Sequence, residues 1–491
     1  MFEIILPVPG KPFHGFDIAE DLHKTLSAEV PMDICGYRLS DDMALSDSTI
    51  NIPIIWFHGK AVDGYPTFWH NGILQDENML DDDVFAKSAA LAATWVYQTV
   101  SGDIANAKEF EIKPVTTTPS PWRNYAANEI FKRKTVGLPF DLAAVPKEFR
   151  RPLPDRVLYG NFGAVLSRLD GKKDLASVIA EVEYIRRCTM KDSEIKKCIN
   201  ALNYLTDWGY LEAIKRTALN KEDLVSALKK AGICKGDLLL VHASVSSCGY
   251  ISGGGKTLVE AIREVIGENG TAMFTSFVFP YVMLGDNTNK NWTLRPYDAK
   301  NLSQIWTGEI SRIILREYPE AIRSKHITHS WVGFGPQAEE CLLKHGYADA
   351  PTGDTSPLAE ALRHNGKVLF AGSGLSPSTF LHYLEDLYDL PYLAKALCQY
   401  RKEDGSVDKV LINKHLPGHR DFYRKDAENS KFYQRAFAAG LKISKADVGL
   451  SDMQVINLKQ LFEIGSQLIK ADPNVLLCDD PNCLYCSSNK Q

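Results

Sequence analysis

The stretch GDLLLVHASVSSCGYISGGGKTLVEAI (residues 236–262), followed by GTAMFTSF (residues 270–277), decides the fold class. Leu238 to Val241 is a continuous apolar run, and a Ser-rich turn holding Ser244, Ser246 and Ser247 follows it. Gly253, Gly254 and Gly255 then open a helical pattern from Thr257. A strand, a tight turn, glycines and a helix start bring backbone N–H groups together at the positive end of the helix dipole. That arrangement favours an anion. A second apolar strand, Thr271 to Phe277, carries two more hydroxyls, Thr275 and Ser276. In open α/β sheets, ligands bind at such carboxyl ends.

Working outward, the chain alternates helix and strand. Apolar periodicity predicts helices over Asp223–Ala231, Thr257–Ile266, Ile305–Arg316 and Leu358–Arg363, and strands over Leu238–Val241 and Lys367–Ala371. Such alternation indicates a sheet covered by helices. Gly255-Lys256-Thr257 ends like a Walker A loop, but that pattern needs glycine where Tyr250 stands, so a P-loop is excluded. No GxGxxG is present, which leaves a dinucleotide fold unsupported.

Four further blocks follow the Ser/Gly loop in order. They are Phe274-Thr275-Ser276-Phe277; RSKHITHS (residues 323–330) with VGFG (residues 332–335); GDTSPL (residues 353–358); and STFLHYLE (residues 378–385) with Pro391-Tyr392 behind it. Together the five blocks resemble the aminoglycoside 3-N-acetyltransferase family over roughly residues 220–470. Its coenzyme A loop runs VHSSLSSLG, a short spacer, GG and an amphipathic helix. The resemblance implies a C-terminal antibiotic N-acetyltransferase-like α/β sheet covered by helices, with acetyl-coenzyme A as co-substrate. It implies coenzyme contacts at Ser244, Val245, Ser246, Ser247, Gly249, Gly253, Gly254, Thr257, Thr275, Ser276 and Ser330. It also implies a general base at His382, oriented by Glu385, with His329 along the cleft as the next choice.

The chain departs from that family pattern. Ile327 replaces the proline of RSxHP, and Leu375-Ser376-Pro377-Ser378 stands where many relatives carry an acid and an asparagine. The insertion Leu411–Arg424 is basic and holds His415 and His419, which argues against a polycationic acceptor. The acceptor is therefore an amine, either a small molecule or one tethered to a carrier or peptide. Two rival readings stand beside the acyltransferase. One is a recognition protein that presents a tethered substrate to an acyltransferase-like domain. The other is a zinc-dependent hydrolase using His326, His329 and Glu385, although HExxH is absent.

The rest of the chain is less specific. Residues 1–115 read as an α+β accessory segment, with β-like runs at Glu3–Val8 and Ile50–Phe57 and a helical pattern over Val84–Thr99 behind the acidic Asp81-Asp82-Asp83. PVTTTPSPW (residues 114–122) reads as a linker. Residues 123–215 combine that approach with a small helical unit: a hairpin or strand–helix entry around Gly160 and Gly163, helices over Leu175–Ile185 and Ile195–Trp208, and a C-terminal Gly209. This unit weakly resembles PqqD-type winged-helix-like domains, which bind peptides. The domain at 220–475 is followed by a Cys-rich tail, residues 476–491. Its Cys478, Cys483 and Cys486 are candidate ligands of a structural zinc that would need a fourth donor.

Composition bounds the function. The chain has 491 residues, 45% hydrophobic and 24% charged, with a formal net charge of −5 and no basic run, so nucleic acid is not the expected partner. No apolar stretch reaches membrane length and no signal peptide is apparent. Ten cysteines are too sparse for a disulfide scaffold, and a reducing cytoplasm is the expected setting. Assembly as a homodimer is left open.

Overall fold

The computed structural model describes residues 119–134, 142–154, 160–186, 188–278, 281–283, 296–347, 349–390, 393–415, 420–488 and 490. N-terminal to these it describes the strands Phe2–Ile5, Met32–Cys35 and Trp56–Gly59 and helical residues at 83, 86, 87, 89, 90, 93 and 97. The chain divides into two compact units, Met1–Thr217 and Ala218–Gln491.

The C-terminal unit is built on a seven-stranded mixed sheet. Its order is Ser444–Val448, Ser451–Asn457, Lys367–Ala371, Leu238–Ala243, Thr271–Thr275, Trp331–Phe334 and Ile322–Arg323. Three central strands run parallel: Leu238 pairs with Thr271, and Lys367 with Leu239. Trp331–Phe334 and Ser451–Asn457 flank them antiparallel, and the outermost strands, Ile322–Arg323 and Ser444–Val448, each pair antiparallel with those neighbours. The reason for the continuous apolar run in the central strand is burial on both faces. Leu238, Leu240, Met273, Val368 and Phe370 point into one core, and Leu239, Val241, Ala272, Phe274 and Leu369 into the other. Helices Lys221–Lys230, Gly254–Ile266 and Glu309–Glu317 contribute to the second core. Pro357–Arg363, Phe380–Leu387, Lys431–Ala438 and Leu458–Ala471 contribute to the first. Each fully buried Leu, Val or Phe removes apolar area worth about 1.5–3 kcal/mol. A smaller antiparallel sheet, Val407–His415, Leu393–Arg401 and Tyr281–Met283, stands apart from the main one.

Several boundaries differ from the sequence reading. The helix after the glycines begins at Gly254 rather than Thr257, because Gly253 takes the left-handed φ of 78° that turns the chain into it. The second strand stops at Thr275, opposite Trp331. Ile305–Arg316 is not one helix: a 3₁₀ turn at Leu302–Gln304 is followed by Gly308 at φ 112°, and the helix starts at Glu309. At the start of the Cys-rich tail, Leu476 and Leu477 are fully buried in the same core as Leu461 and Phe432.

In the N-terminal unit, Ile130–Arg133 and Leu211–Lys215 pair antiparallel beside helices Pro121–Ala126, Asn161–Ser167, Leu175–Arg186 and Asp192–Asp207. Gly163 lies buried inside a helix rather than at a turn. The linker reading ends at Ser120, whose hydroxyl caps the Pro121–Ala126 helix, and residues 114–118 lie outside the described ones. Glu183 is fully buried against Arg123 at 2.7 Å. Phe2–Ile5 runs between Met32–Cys35 and Trp56–Gly59 in a separate three-stranded sheet, of which the sequence reading anticipated strand character at residues 3–5 and at Trp56 and Phe57. Asp81 and Asp82 lie outside the described residues. Among the described residues no helix is long and apolar enough to cross a membrane.

Candidate active site

Strand direction gathers the candidate residues. The parallel strands Leu238–Ala243, Thr271–Thr275 and Lys367–Ala371 all end at one edge of the sheet. That edge carries Ser244–Ser247, Ser276 and the loop that leads from Gly372 to His382. Trp331 pairs with Thr275, so the antiparallel fourth strand brings Ser330 to the same edge.

The Ser/Gly loop is accessible. Val245–Ser247 forms a 3₁₀ turn in which Ser244 and Ser247 hydroxyls lie 2.7 Å apart, and Ser246 and Gly253 are exposed. Ser244 N–H donates to the Ala371 carbonyl at 2.9 Å, tying the loop to the neighbouring strand end. Gly372 is required there: at φ 69°, its Cβ would stand 3.0 Å from the Ser244 carbonyl oxygen and 2.8 Å from Cys248 Sγ. No side chain caps the Gly254–Ile266 helix; the Gly254 N–H donates to the Ile251 carbonyl at 2.9 Å, and the N–H groups that follow it stand at the positive end of the helix dipole. The space beside Gly254 is open, with nothing within 4 Å of a Cβ built on it, so the cradle suits an anionic group. Thr257 turns inward instead, its hydroxyl donating to the Ser252 carbonyl at 2.5 Å. Val245 packs its side chain against the core, and Gly249 takes a positive φ of 92°.

Thr275, Ser276 and Ser330 sit at the edge but serve the frame. The Thr275 carbonyl accepts from the hydroxyls of Thr307, at 2.8 Å, and Ser311. Ser276 and Ser330 are fully buried with their hydroxyls 2.9 Å apart, and Arg323 Nε donates to Ser330 Oγ at 3.1 Å. These contacts commit both hydroxyls to the interior, away from the open loop.

His382 lies on the Phe380–Leu387 helix, where three-residue spacing places Glu385 on the same face. His382 Nδ1 stands 2.7 Å from Glu385 Oε2, and the other carboxylate oxygen accepts from Arg420 Nε at 2.6 Å. Glu385 and Arg420 are each 1% exposed, whereas His382 is 12% exposed. A carboxylate at Nδ1 fixes the proton there and presents Nε2 as the basic atom. Nε2 meets the Tyr423 hydroxyl at 2.7 Å. Desolvation and the Glu385 charge hold that phenol well above its ordinary range, so it stays protonated and donates. Burial works against the Arg420 charge, but Glu385 more than compensates and keeps the guanidinium protonated. Arg420 Nη1 also donates to Tyr485 Oη at 2.6 Å. Helix start and strand end are joined, because Thr379 Oγ1 lies 3.2 Å from His242 Nε2. Full burial pushes His242 down to about 3, so that imidazole is neutral.

The histidines of the RSKHITHS block behave differently. His326 is fully buried; its Nδ1 accepts from the backbone N–H groups of Thr328 and His329, at 3.2 and 2.9 Å, and its Nε2 faces the Asp349 carbonyl at 3.1 Å. Both ring nitrogens are thus used within the protein. His329 is half-buried, with Nδ1 2.8 Å from Thr328 Oγ1 and its ring against Phe277. Among the described residues His326, His329 and Glu385 do not form a metal-ligating group. The ligand set that the zinc hydrolase reading requires is thus not assembled: His326 is an internal brace, and Glu385 is held by His382 and Arg420.

Sequence reasoning missed Arg420 and Tyr423, which lie in the basic insertion. That insertion was expected to bear on the acceptor. Instead Arg420 turns inward as the counter-ion of Glu385, while Val407–His415 continues as a strand. His419, Pro391 and Tyr392 lie outside the described residues.

Comparison with known proteins agrees with the block order. Residues 240–470 match the aminoglycoside 3-N-acetyltransferase family. Aminoglycoside N(3)-acetyltransferase III of Salmonella sp is 36% identical over 176 residues, which cover 34% of this chain and 60% of that protein. Aminoglycoside N(3)-acetyltransferase IX of Micromonospora chalcea is 32% identical over 170 residues, covering 33% and 60%. The chain thus spans about three fifths of the length of these curated relatives. Among solved structures, aminoglycoside acetyltransferase AAC(3)-Xa aligns at 23% identity and a TM-score of 0.46, over 52% of this chain and 93% of that one.

Proposed function

We propose that this chain, whose residues 240–470 match the aminoglycoside 3-N-acetyltransferase family, transfers an acetyl group from acetyl-coenzyme A to an amine. The observation that carries this reading is the gathering, at one sheet edge, of an open Ser/Gly anion cradle and a His–Glu pair. Ser244, Ser246 and the first-turn N–H groups after Gly254 would hold the coenzyme's phosphates. The coenzyme supplies the activated thioester carbon.

His382 does the proton work. Nε2 takes the proton that the amine sheds as its nitrogen bonds to the acyl carbon and the carbon–sulfur bond breaks. The proton leaves on the sulfur of the departing thiol. Glu385, held by Arg420, stabilises the imidazolium in between. The amine must reach the place occupied by the Tyr423 hydroxyl, so Tyr423 either moves aside or relays the proton. Transfer is direct, without an acyl-enzyme.

The test is a coenzyme A titration of the full chain by calorimetry, followed by a thiol-release assay with acetyl-coenzyme A and a panel of free amines. Saturable binding with acyl transfer supports the reading, and a flat isotherm overturns it. The N-terminal unit contributes no group to this chemistry in our reading. A chain beginning at Ala218 is expected to bind coenzyme A with the affinity of the full protein, as the same calorimetry would show. Loss of binding in a folded fragment would place part of the cradle in residues 1–217. If the acceptor is tethered to a carrier or peptide, the fragment keeps coenzyme binding and loses turnover on that acceptor alone.

A further inference from the structure

We propose that Cys478, Cys483 and Cys486 bind a thiophilic divalent cation, zinc in the first instance, and that the bound metal holds Tyr485 against Arg420. The metal would thereby act as a positioning element for the Glu385–His382 pair. The second half of this proposal rests on His382 being the base; the first half does not.

The three sulfur atoms all lie within 4.8 Å of one another, and no disulfide joins them. Zinc–sulfur bonds of about 2.3 Å in a tetrahedron require sulfur atoms about 3.8 Å apart, so only small side-chain adjustments separate this cluster from a ligand set. The gaps of four and two residues both fall in the range common to structural zinc ligand pairs. The backbone is already shaped for the purpose. Cys483 N–H donates to the Asp480 carbonyl at 3.1 Å, closing a turn, and Cys486 sits one helical turn on, in Leu484–Ser488. Cys478 N–H donates to Cys486 Sγ at 3.4 Å, the kind of outer hydrogen bond that steadies a metal-bound thiolate. Cys478 and Cys486 are buried, while Cys483 is only partly so, which leaves a fourth coordination position on the solvent side.

The other grouping of potential ligands among the described residues, Glu340, Glu360 and His364, is already met by Lys344 and Arg363, at 3.1 and 2.5 Å from Glu360. A metal would add to the apolar packing of this segment, where Leu476, Leu477, Cys478 and Cys486 already lie in the main core. Binding converts three thiols to thiolates and releases three protons.

The route to the candidate active site is short. Tyr485 lies between Cys483 and Cys486 in sequence, its hydroxyl accepts from Arg420 Nη1 at 2.6 Å, and the guanidinium sits 5.3 Å from its ring centre. Asp421 N–H donates to the Leu476 carbonyl at 2.9 Å, so the two segments are joined on both sides of Arg420. Arg420 in turn grips Glu385. Freeing the thiol loop releases Tyr485 and, through it, the orientation of the His382 imidazole.

The experiment is elemental analysis of the purified full chain, with cobalt substitution read by thiolate-to-cobalt absorption. One zinc per chain is expected. It should be lost in Cys483→Ser, chosen because the half-buried residue is the least disruptive to replace, and in Cys478→Ser. Absence of both bound zinc and a cobalt–thiolate band in the wild type overturns the site. Tyr485→Phe should keep the metal and the KM for acetyl-coenzyme A but lower kcat about tenfold, the usual loss when an outer positioning contact is removed. Chelation should lower kcat in the same way, and zinc should restore it. Unchanged kcat in the metal-free protein overturns the coupling and leaves the metal site standing. Near-normal turnover in His382→Ala overturns the base assignment instead, and the metal count does not move.

Discussion

Replacing His382 by alanine should lower acyl-transfer turnover by roughly 10²–10⁴-fold, the usual contribution of a positioned general base. Coenzyme A affinity should stay close to that of the wild type, because the imidazole acts on the acceptor amine and not on the phosphates. The wild-type rate should rise with pH as protonated imidazole gives way to the form with a free Nε2 lone pair. In His382→Ala that rise should disappear, leaving only the amine's own titration. The change is structurally mild: His382 is 12% exposed, its backbone carbonyl still accepts from Thr352 Oγ1 at 3.0 Å, and alanine favours the helix. It does remove the partner of Glu385 Oε2, while Arg420 continues to neutralise that carboxylate. A folded variant with near-normal turnover would put the base elsewhere. His329 would be the next residue to replace, being half-buried beside Phe277 with Nδ1 2.8 Å from Thr328 Oγ1.

The parts of this site that were legible in the sequence share one property: they are set by short-range geometry. Apolar Leu238–Val241 could be read as a doubly buried strand because both faces needed covering, and the two cores confirm that alternation. His382 and Glu385 could be paired because helical residues three apart share a face. Arg420 and Tyr423 could not be found that way. Each lies more than thirty residues from its partner, and an arginine in a basic insertion ordinarily points to water. The departure before His382, Leu375-Ser376-Pro377-Ser378, was a hint, since a base without an acid in that segment needs one from another position. Glu385 supplies it, and a buried carboxylate then requires its own cation. Ser276 and Ser330 show the opposite case. Their hydroxyls look like donors at a strand end, but strand pairing faces them toward each other and Arg323. Gly163 shows the same limit, as a residue read as a turn signal is buried within a helix.

Gly254→Asp should raise the dissociation constant for acetyl-coenzyme A about 10²-fold or more. The backbone there already has φ 64°, a conformation that aspartate and asparagine visit more readily than other side chains. A Cβ at this position meets nothing within 4 Å, so the substitution tests charge rather than packing. A carboxylate about 5 Å from a phosphate charge, at the effective dielectric of about 20 found near protein surfaces, is repelled by about 3 kcal/mol. Each 1.4 kcal/mol is tenfold in affinity, which gives the expected effect before the second phosphate is counted. Gly254→Asn is the matched control: it has nearly the same shape, the same tolerance of positive φ and no charge. It should bind within a few-fold of wild type. The gap between the two variants should narrow as salt is raised, since ions screen the repulsion across this accessible loop. Titration calorimetry at two ionic strengths separates the cases. Equal weakening by both variants, independent of salt, would make the loop a packing element. Unchanged affinity in a folded Gly254→Asp protein would remove the phosphates from the helix start altogether, and with them the coenzyme assignment of Ser244 to Thr257.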